Sequence, residues 1–219
     1  MPKQTFFNLA ADKRDLITRI AIDEFASNDY ESASISNIVA QAGIAKGSFY
    51  QYFEDKLDLY QYLLHEGSRM KGEFLAAHPP TDDTSHPLVY LRWLLKIGLR
   101  FDFAHRKLAK IAQQAISGQG PFPAAWRHEM ETGALAFYQG IIRQGIEKGV
   151  LRADLDQETA AYLLHVSLRD MATYLLHRLN ISDDKSDLVA AFAQHETEVE
   201  AIFDRLFSTL EQGMASGKS

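Results

Sequence analysis

The sequence contains no cysteine in its 219 residues, which excludes a disulfide scaffold, a thiolate metal site and a cysteine nucleophile. It also contains no long apolar run, because four charged residues interrupt the most apolar segment, 88–103. A membrane-spanning helix needs about 20 mostly apolar residues, and the first seven residues lack the apolar core of a signal peptide. These absences predict a cytoplasmic protein without a membrane span.

Positive charge is scarce as well. The formal net charge is −6, and residues 1–60 contain six Lys or Arg against nine Asp or Glu, a net charge of −3. Domains that bind nucleic acids are usually basic. Composition alone therefore argues against a nucleic-acid partner, and only a specific sequence pattern could indicate one.

The residue types that carry catalysis are present but are not arranged in a recognisable site. None of the eight histidines pairs with another metal-ligating residue at a spacing that would predict zinc. The chain has no Gly-rich phosphate-binding loop and no nucleophile elbow. We therefore expect a protein that is not an enzyme, with no catalytic residues, no metal and no cofactor.

Apolar residues recur at intervals of three and four along most of the chain, and alternating apolar and polar runs are missing. This periodicity predicts an all-α fold. Asp12, Ser34 and Asp156 are placed to cap helix N-termini, and Gly43 and Gly149 are placed to end helices. About nine helices are expected, at residues 12–27, 34–43, 46–52, 55–76, 88–104, 105–117, 124–148 and 156–179, with the ninth after a polar loop at 181–187 and ending near 211.

Residues 34–56 combine the features of a helix-turn-helix. A helix of about two turns begins after Ser34 and stops at Gly43, and Ile44 follows as a buried anchor. A second short helix and the start of a longer one come next. Two short helices joined by a tight turn with glycine are the helix-turn-helix plan, in which the second helix enters the major groove of DNA.

This segment closely resembles the DNA-binding signature of the TetR family of transcriptional regulators. The stretches that match in residue type and spacing are Ala42-Gly43-Ile44, Lys46-Gly47, Phe49-Tyr50, Tyr52-Phe53 and Lys56. The resemblance is specific over about residues 12–64, and beyond them it extends only to the layout. It implies an N-terminal three-helix DNA-binding head, residues 1–54, and a larger helical ligand-binding and dimerisation body, residues 55–219.

The resemblance also implies which side chains contact DNA: Ser34, Ser36, Lys46, Gly47, Ser48, Tyr50, Gln51, Tyr52 and Lys56. The first two serines and Lys56 would hold phosphates, residues 46–48 would face bases, and residues 50–52 would divide between the two. The alternatives are packing for the tyrosines, an inert surface position for Gln51 and a surface ion pair for Lys56. Because the segment is acidic, DNA binding also requires Lys3, Lys46 and Lys56 to lie on one face.

The body is rich in large aromatic side chains. The family resemblance implies an apolar pocket there, lined by Trp93, Phe101, Trp126, Phe137 and Tyr138. Arg169 is the candidate for binding an acidic ligand. The alternatives are ordinary core packing for the aromatic residues and a surface ion pair of Arg169 with Asp170 or Glu158.

Two apolar stripes near the end of the chain predict a four-helix interface with a second copy. They consist of Leu164, Leu168, Met171 and Leu175 on one helix and of Val199, Ile202, Phe203, Leu206 and Leu210 on the other. The alternative is that both stripes pack on the core of their own protomer.

The resemblance implies a ligand-responsive regulator, most simply a repressor. It would bind a near-palindromic double-stranded operator as a homodimer and leave it when a small apolar or amphipathic effector binds the body. The alternative is a dimeric structural DNA-binding protein that responds to no ligand. The sequence does not identify the effector, the operator or the regulated genes.

Overall fold

The computed structural model describes residues 1–81, 83–183 and 187–214. Over these ranges the secondary structure is helical and contains no strand, which confirms the all-α prediction. The helices are α1 (Gln4–Phe7), α2 (Ala11–Ser27), α3 (Ile35–Gln41), α4 (Lys46–Tyr52), α5 (Lys56–Ala77), α6 (Pro87–Ala104), α7 (Arg106–Ser117), α8 (Ala124–Glu147), α9 (Gln157–Arg169), α10 (Met171–Arg178), α11 (Leu188–Gln194) and α12 (Glu196–Met214).

The described residues form twelve helices where nine were expected, for three reasons. The short helix α1 carries no periodic pattern long enough to reveal it. The predicted eighth helix is divided at Asp170, whose backbone leaves the helical region at φ −99° and ψ 15°. The ninth is divided at His195, at φ −110° and ψ 19°. Both divisions lie within continuous apolar patterns, so periodicity alone could not show them.

The helix ends follow local sequence signals in most places. Ser34 accepts a hydrogen bond from the backbone N–H of Asn37 (3.4 Å) and Asp156 accepts one from that of Thr159 (2.7 Å), as N-caps do. Gly43 has a φ of +61°, which ends α3 as predicted. The predicted cap Asp12 is wrong, because α2 begins one residue earlier and Asp12 lies inside its first turn.

The chain forms two compact units. The first unit comprises residues 1–74 and 105–127, and the second comprises residues 75–104 and those from 128 onward. The first unit is larger than the head expected at 1–54, because it includes most of α5 and all of α7. Two polar contacts fix α7 there: the hydroxyl of Tyr60 donates to the carbonyl of Ile111 (3.0 Å), and Lys107 pairs with Asp23 (2.6 Å).

The second unit has its own apolar core, built from α6 and α8 to α12. A ladder of ion pairs joins α6 to α12 beside that core. Arg92 contacts Glu200 (3.0 Å) and Asp204 (2.5 Å), and Lys96 contacts Glu200 as well. Burial disfavours the charged form of Glu200, but the two cations outweigh it and hold the pKa of this carboxyl below its usual value. Two of the four charged residues that interrupt the apolar pattern of α6 therefore bind α12.

No helix in the described ranges is long and apolar enough to cross a membrane.

The contact between α8 and residue Leu151 allows a test of packing in the second unit. A Cβ at Gly145 would lie 2.6 Å from Cδ1 of Leu151 and 2.9 Å from Cγ of Pro87, whereas one at Gly140 would meet nothing within 4 Å. We expect Gly145→Ala to lower the free energy of unfolding by about 1–3 kcal/mol through overpacking. We expect Gly140→Ala, the matched control on the same helix, to raise it by about 0.5–1 kcal/mol. Urea unfolding measures both, and equal stability of the two variants would contradict the packing described.

Candidate nucleic-acid interface

Helices α3 and α4 form a helix-turn-helix. Their facing side chains Ile38 and Phe49 are fully buried. The turn between them is fixed by backbone hydrogen bonds from Gly43 to Ala40 (3.2 Å) and from Ile44 to Val39 (3.0 Å). This geometry holds α4 as a rigid second helix, which in this motif is the one that reads DNA. We call α4 the recognition helix.

The outer face of the recognition helix carries the predicted contact residues. Lys46, Gly47 and Gln51 are exposed, Ser48 is half-buried, and the Tyr50 side chain is 46% exposed. A Cβ at Gly47 would meet nothing within 4 Å, so no packing inside the protein requires glycine at this position. The absence of a side chain there leaves room for a close approach of the backbone to another molecule.

Residues on the neighbouring helix complete this face. Ser36 is exposed on α3, and the ammonium group of Lys46 donates to its hydroxyl at 3.4 Å. The hydroxyl of Ser34 is engaged as the cap of α3. Tyr52 is half-buried with its ring 6.1 Å from that of Phe6, so packing accounts for its ring.

Lys56 has a different environment from the one predicted. Its ammonium group donates to the backbone carbonyls of Tyr30 (2.7 Å), Glu31 (3.1 Å) and Ala33 (3.1 Å), and it lies 4.5 Å from the centre of the Tyr30 ring. An ammonium group has three N–H donors, and all three are engaged here. This geometry does not support the predicted phosphate contact, and it makes Lys56 a residue that fixes the loop before α3.

Two of the three lysines predicted to form one basic face bind groups of the protein itself. Lys3 binds the carbonyl of Tyr50 (3.0 Å) and the carboxylate of Glu54 (3.1 Å), and Lys56 is engaged as described. Lys46 is exposed on the recognition helix. Lys3 and Lys56 each contribute contacts that hold the motif together.

Two further charged residues of α2 fix the ends of α3, and the sequence analysis did not identify them. Glu24 is only 7% exposed. Its carboxylate accepts hydrogen bonds from the backbone N–H of Ser34 (2.8 Å) and from the side-chain amide of Asn37 (3.4 Å). Lys13 donates to the carbonyl of Ala42 at 2.6 Å. A signal was present, because Glu24 lies next to Phe25 and three residues from Ala21 on the buried stripe of α2.

The aromatic residues predicted to line one pocket are distributed over both units. Trp126 belongs to the first unit, where its ring stacks on Phe122 at 4.0 Å. Phe101 is buried, Phe137 is 43% exposed and Tyr138 is partly buried beside Phe137, all in the second unit. Apolar periodicity does not show which core a side chain joins, and the pocket that these residues would line stays a prediction.

Two other predicted pocket residues have polar partners. The indole N–H of Trp93 donates to the carbonyl of His78 (2.9 Å). Arg169 is exposed and contacts Asp170 at 3.5 Å, so the surface alternative is correct and Arg169 is not a buried cation. A different polar residue was missed: the side chain of Gln114 is buried, and its Oε1 accepts no hydrogen bond from the described residues.

Most of the predicted dimer stripe lies inside the protomer. The buried members are Leu164, Leu168, Met171, Leu175, Ile202 and Phe203, while Val199, Leu206 and Leu210 are only partly buried. The buried residues fill the core of the second unit and are not free to meet another molecule. The outer side of α9 and α10 carries a separate apolar stripe, made of Tyr162, Leu163, Val166 and Tyr174, with exposures of 38% to 55%.

No group of three or more potential metal ligands lies close together in the part of the chain that the structure describes.

Comparison with known proteins gives two matches that together cover most of the chain. The family model "Bacterial regulatory proteins, tetR family" matches residues 17–63, which include the helix-turn-helix. The model "Tetracyclin repressor-like, C-terminal domain" matches residues 88–215. The chain belongs to the TetR family. It is therefore a DNA-binding transcriptional regulator and not an enzyme.

Individual TetR-family proteins agree with this assignment. The crystal structure of a TetR-family regulator from Chloroflexus aurantiacus is 37% identical, covers 99% of this chain and 100% of its own, and superposes with a TM-score of 0.86. The transcriptional repressor BepR of Brucella suis is 26% identical over 77% of this chain and 82% of its own length. The fatty acid metabolism regulator protein of Bacillus subtilis is 26% identical over 78% of this chain and 84% of its own length.

Proposed function

We propose that this TetR-family protein is a repressor that binds a near-palindromic operator as a homodimer and leaves it when a small apolar or amphipathic effector binds. The observation that carries the proposal is the outer face of the recognition helix. Lys46, Gly47 and Gln51 are exposed there on a motif whose inner face is fully buried. Because such a regulator works where the DNA lies, we place it in the cytoplasm.

On DNA, the recognition helix lies in the major groove and Lys46, Gly47 and Ser48 face the bases. Lysine can donate to the O6 and N7 acceptors of guanine. Tyr50, Gln51 and Tyr52 divide between bases and phosphates. The exposed hydroxyl of Ser36 and that of Ser34, whose oxygen also caps α3, donate to phosphates, and these contacts set the register of the motif on the duplex.

Two lysine substitutions distinguish a DNA contact from a structural residue. We expect Lys46→Ala to relax the preferred DNA sequence, with a loss of about 1–3 kcal/mol for the preferred site if a paired base contact is lost. We expect Lys56→Met, the control, to lower the melting temperature but to leave the slope of log K against log salt unchanged. Binding to selected and random duplexes at several salt concentrations measures both. If Lys46→Ala keeps the sequence preference of the wild type, Lys46 does not contact bases. If Lys56→Met lowers the slope of log K against log salt by about one, Lys56 does bind a phosphate.

The exposed apolar stripe on α9 and α10 is the proposed dimer interface. An apolar face of this kind is uncommon on a monomer. Leu163 links the stripe to an open cleft of about 300 Å³ between the start of α9 and the end of α12, where Leu155, Leu210 and Met214 also line the wall. Side chains of a second copy fill this cleft in the proposal. A two-fold dimer would then place two recognition helices on operator half-sites related by the same symmetry.

Charge introduced into this stripe should separate the protomers. We expect Leu163→Glu with Val166→Glu to give a monomer at micromolar concentration, because two carboxylates would be buried without partners. Operator affinity should fall together with the dimer. Gln144→Glu, on the exposed side of α8, is the control and should remain dimeric. Light scattering measures the mass, and a dimeric double variant would place the interface elsewhere.

Two observations support an effector site. The first unit contains the unpartnered acceptor of Gln114, and the Bacillus subtilis relative is named for fatty acid metabolism. A buried acceptor without a donor costs about 1–3 kcal/mol, which a ligand with a hydroxyl or amide group would recover. An amphipathic molecule with an apolar chain and one hydrogen-bond donor fits these features. The alternative, a dimeric structural DNA binder, needs no such molecule.

The two tryptophans allow the effector to be detected and located. Trp93 lies in the second unit and Trp126 in the first, so Trp126→Phe and Trp93→Phe leave one reporter in each unit. We expect a fatty acid or a related amphipathic molecule to change the emission of at least one variant at the concentration that releases operator DNA. A typical coupling free energy of about 1–3 kcal/mol between effector binding and DNA binding would suffice for this release. If no member of a panel of fatty acids, acyl thioesters and steroids changed DNA affinity, the structural alternative would be favoured.

A further inference from the structure

The first few residues of the chain bind the C-terminal end of the recognition helix. The backbone N–H of Lys3 donates to the carbonyl of Tyr52 (2.8 Å), and the ammonium group of Lys3 donates to the carbonyl of Tyr50 (3.0 Å). The hydroxyl of Thr5 donates to the carbonyl of Gln51. Three consecutive carbonyls at the end of α4 are therefore bound by a segment more than 40 residues away in sequence.

Phe6 anchors this segment in the core of the first unit. Its side chain is fully buried. Its ring centre lies 4.8 Å from that of Phe53, the residue directly after α4, and 5.3 Å from that of Tyr62 on α5. The segment is thus held by the same cluster against which the recognition helix packs.

The recognition helix needs such support because its own ends are weak. It has only seven residues, and its N-cap Ala45 makes no side-chain hydrogen bond. The last four carbonyls of any helix have no partner within the helix, and helices this short are not stable alone. The residue that follows, Phe53, is extended and does not adopt the left-handed conformation that often satisfies these carbonyls. The positive charge of Lys3 also complements the negative end of the helix dipole.

We propose that Lys3, Thr5 and Phe6 form a clamp that fixes the last turn of the recognition helix and so positions Tyr50 and Gln51 for DNA. Lys3 and Thr5 are positioning residues in this proposal, because they act through the carbonyls of α4 and not through contacts with DNA. The proposal rests on the role of α4 in DNA recognition described above. It adds a determinant of affinity that lies outside the helix-turn-helix sequence.

The test uses the full-length protein and a duplex selected by the wild-type protein from a random pool. Thr5→Val keeps the shape of the side chain and removes the donor to Gln51, and Thr5→Ser keeps the donor. Gln4→Ala is the control, because it changes an exposed neighbour whose side-chain amide donates to Asn8. We expect Thr5→Val to lower affinity for the selected duplex about three- to tenfold, the effect of one hydrogen bond. The affinity of Thr5→Ser and Gln4→Ala should stay within about twofold of wild type.

Two further measurements separate positioning from other roles. Hydrogen exchange of the amides of Tyr52 and Phe53 should be several-fold faster in Thr5→Val than in wild type, because the last turn would open more often. Lys3→Met should weaken binding without changing the salt slope. A slope lower by about one would show that Lys3 neutralises a phosphate, and this result would overturn the proposal for Lys3.

The outcomes distinguish the clamp from the function on which it rests. If the wild-type protein and Gln4→Ala bind the selected duplex and Thr5→Val binds equally well, the clamp has no role in recognition. If exchange at Tyr52 and Phe53 is the same in wild type and Thr5→Val, the clamp does not fix the last turn. If the wild-type protein selects no DNA sequence, the proposed function itself has failed, and the proposed role of the clamp fails with it.

Discussion

Satisfying the ends of two short helices is the constraint on which the DNA-binding unit depends. Helices α3 and α4 have seven residues each, so most of their backbone groups are terminal and have no partner within the helix. Side chains from other elements supply the missing partners: Glu24 and Lys13 from α2, and Lys3 and Thr5 from the segment before it. The motif is rigid because its surroundings bind its ends, not because its helices are stable by themselves.

This constraint also explains why the negative net charge of the DNA-binding segment does not indicate its function. Lysines and a glutamate that would count toward a net charge are engaged with backbone groups of the same unit. Few positive groups remain on the outer face, where Lys46 is flanked by serines, tyrosines and a glutamine. Neutral donors can also bind phosphates and base edges. A net charge of −3 over residues 1–60 is therefore compatible with DNA binding.

Local sequence signals made the helix-turn-helix predictable. They did not show which part of the molecule buries each apolar side chain. The bounds of α4, the cap at Ser34 and the turn at Gly43 follow from residues within a few positions of one another. An apolar stripe shows that one face of a helix is buried but not what buries it. Leu164 was assigned to a partner and fills the core at 0% exposure, while its neighbour Leu163 is 50% exposed. The environment of Lys56 was not predictable for a similar reason, because its carbonyl partners lie more than 20 residues away in sequence.

The division of the chain into units bears on how an effector could act on DNA binding. Helix α7 follows α6 in sequence, yet it belongs to the first unit and is tied there by Tyr60 and Asp23. Helices α5 and α8 each begin in the first unit and end in the second. The chain therefore passes between the units at three places, two of them inside continuous helices. A helix transmits displacement along its axis better than a loop does, so we infer that an effector bound in the second unit would act on the first through α5 and α8.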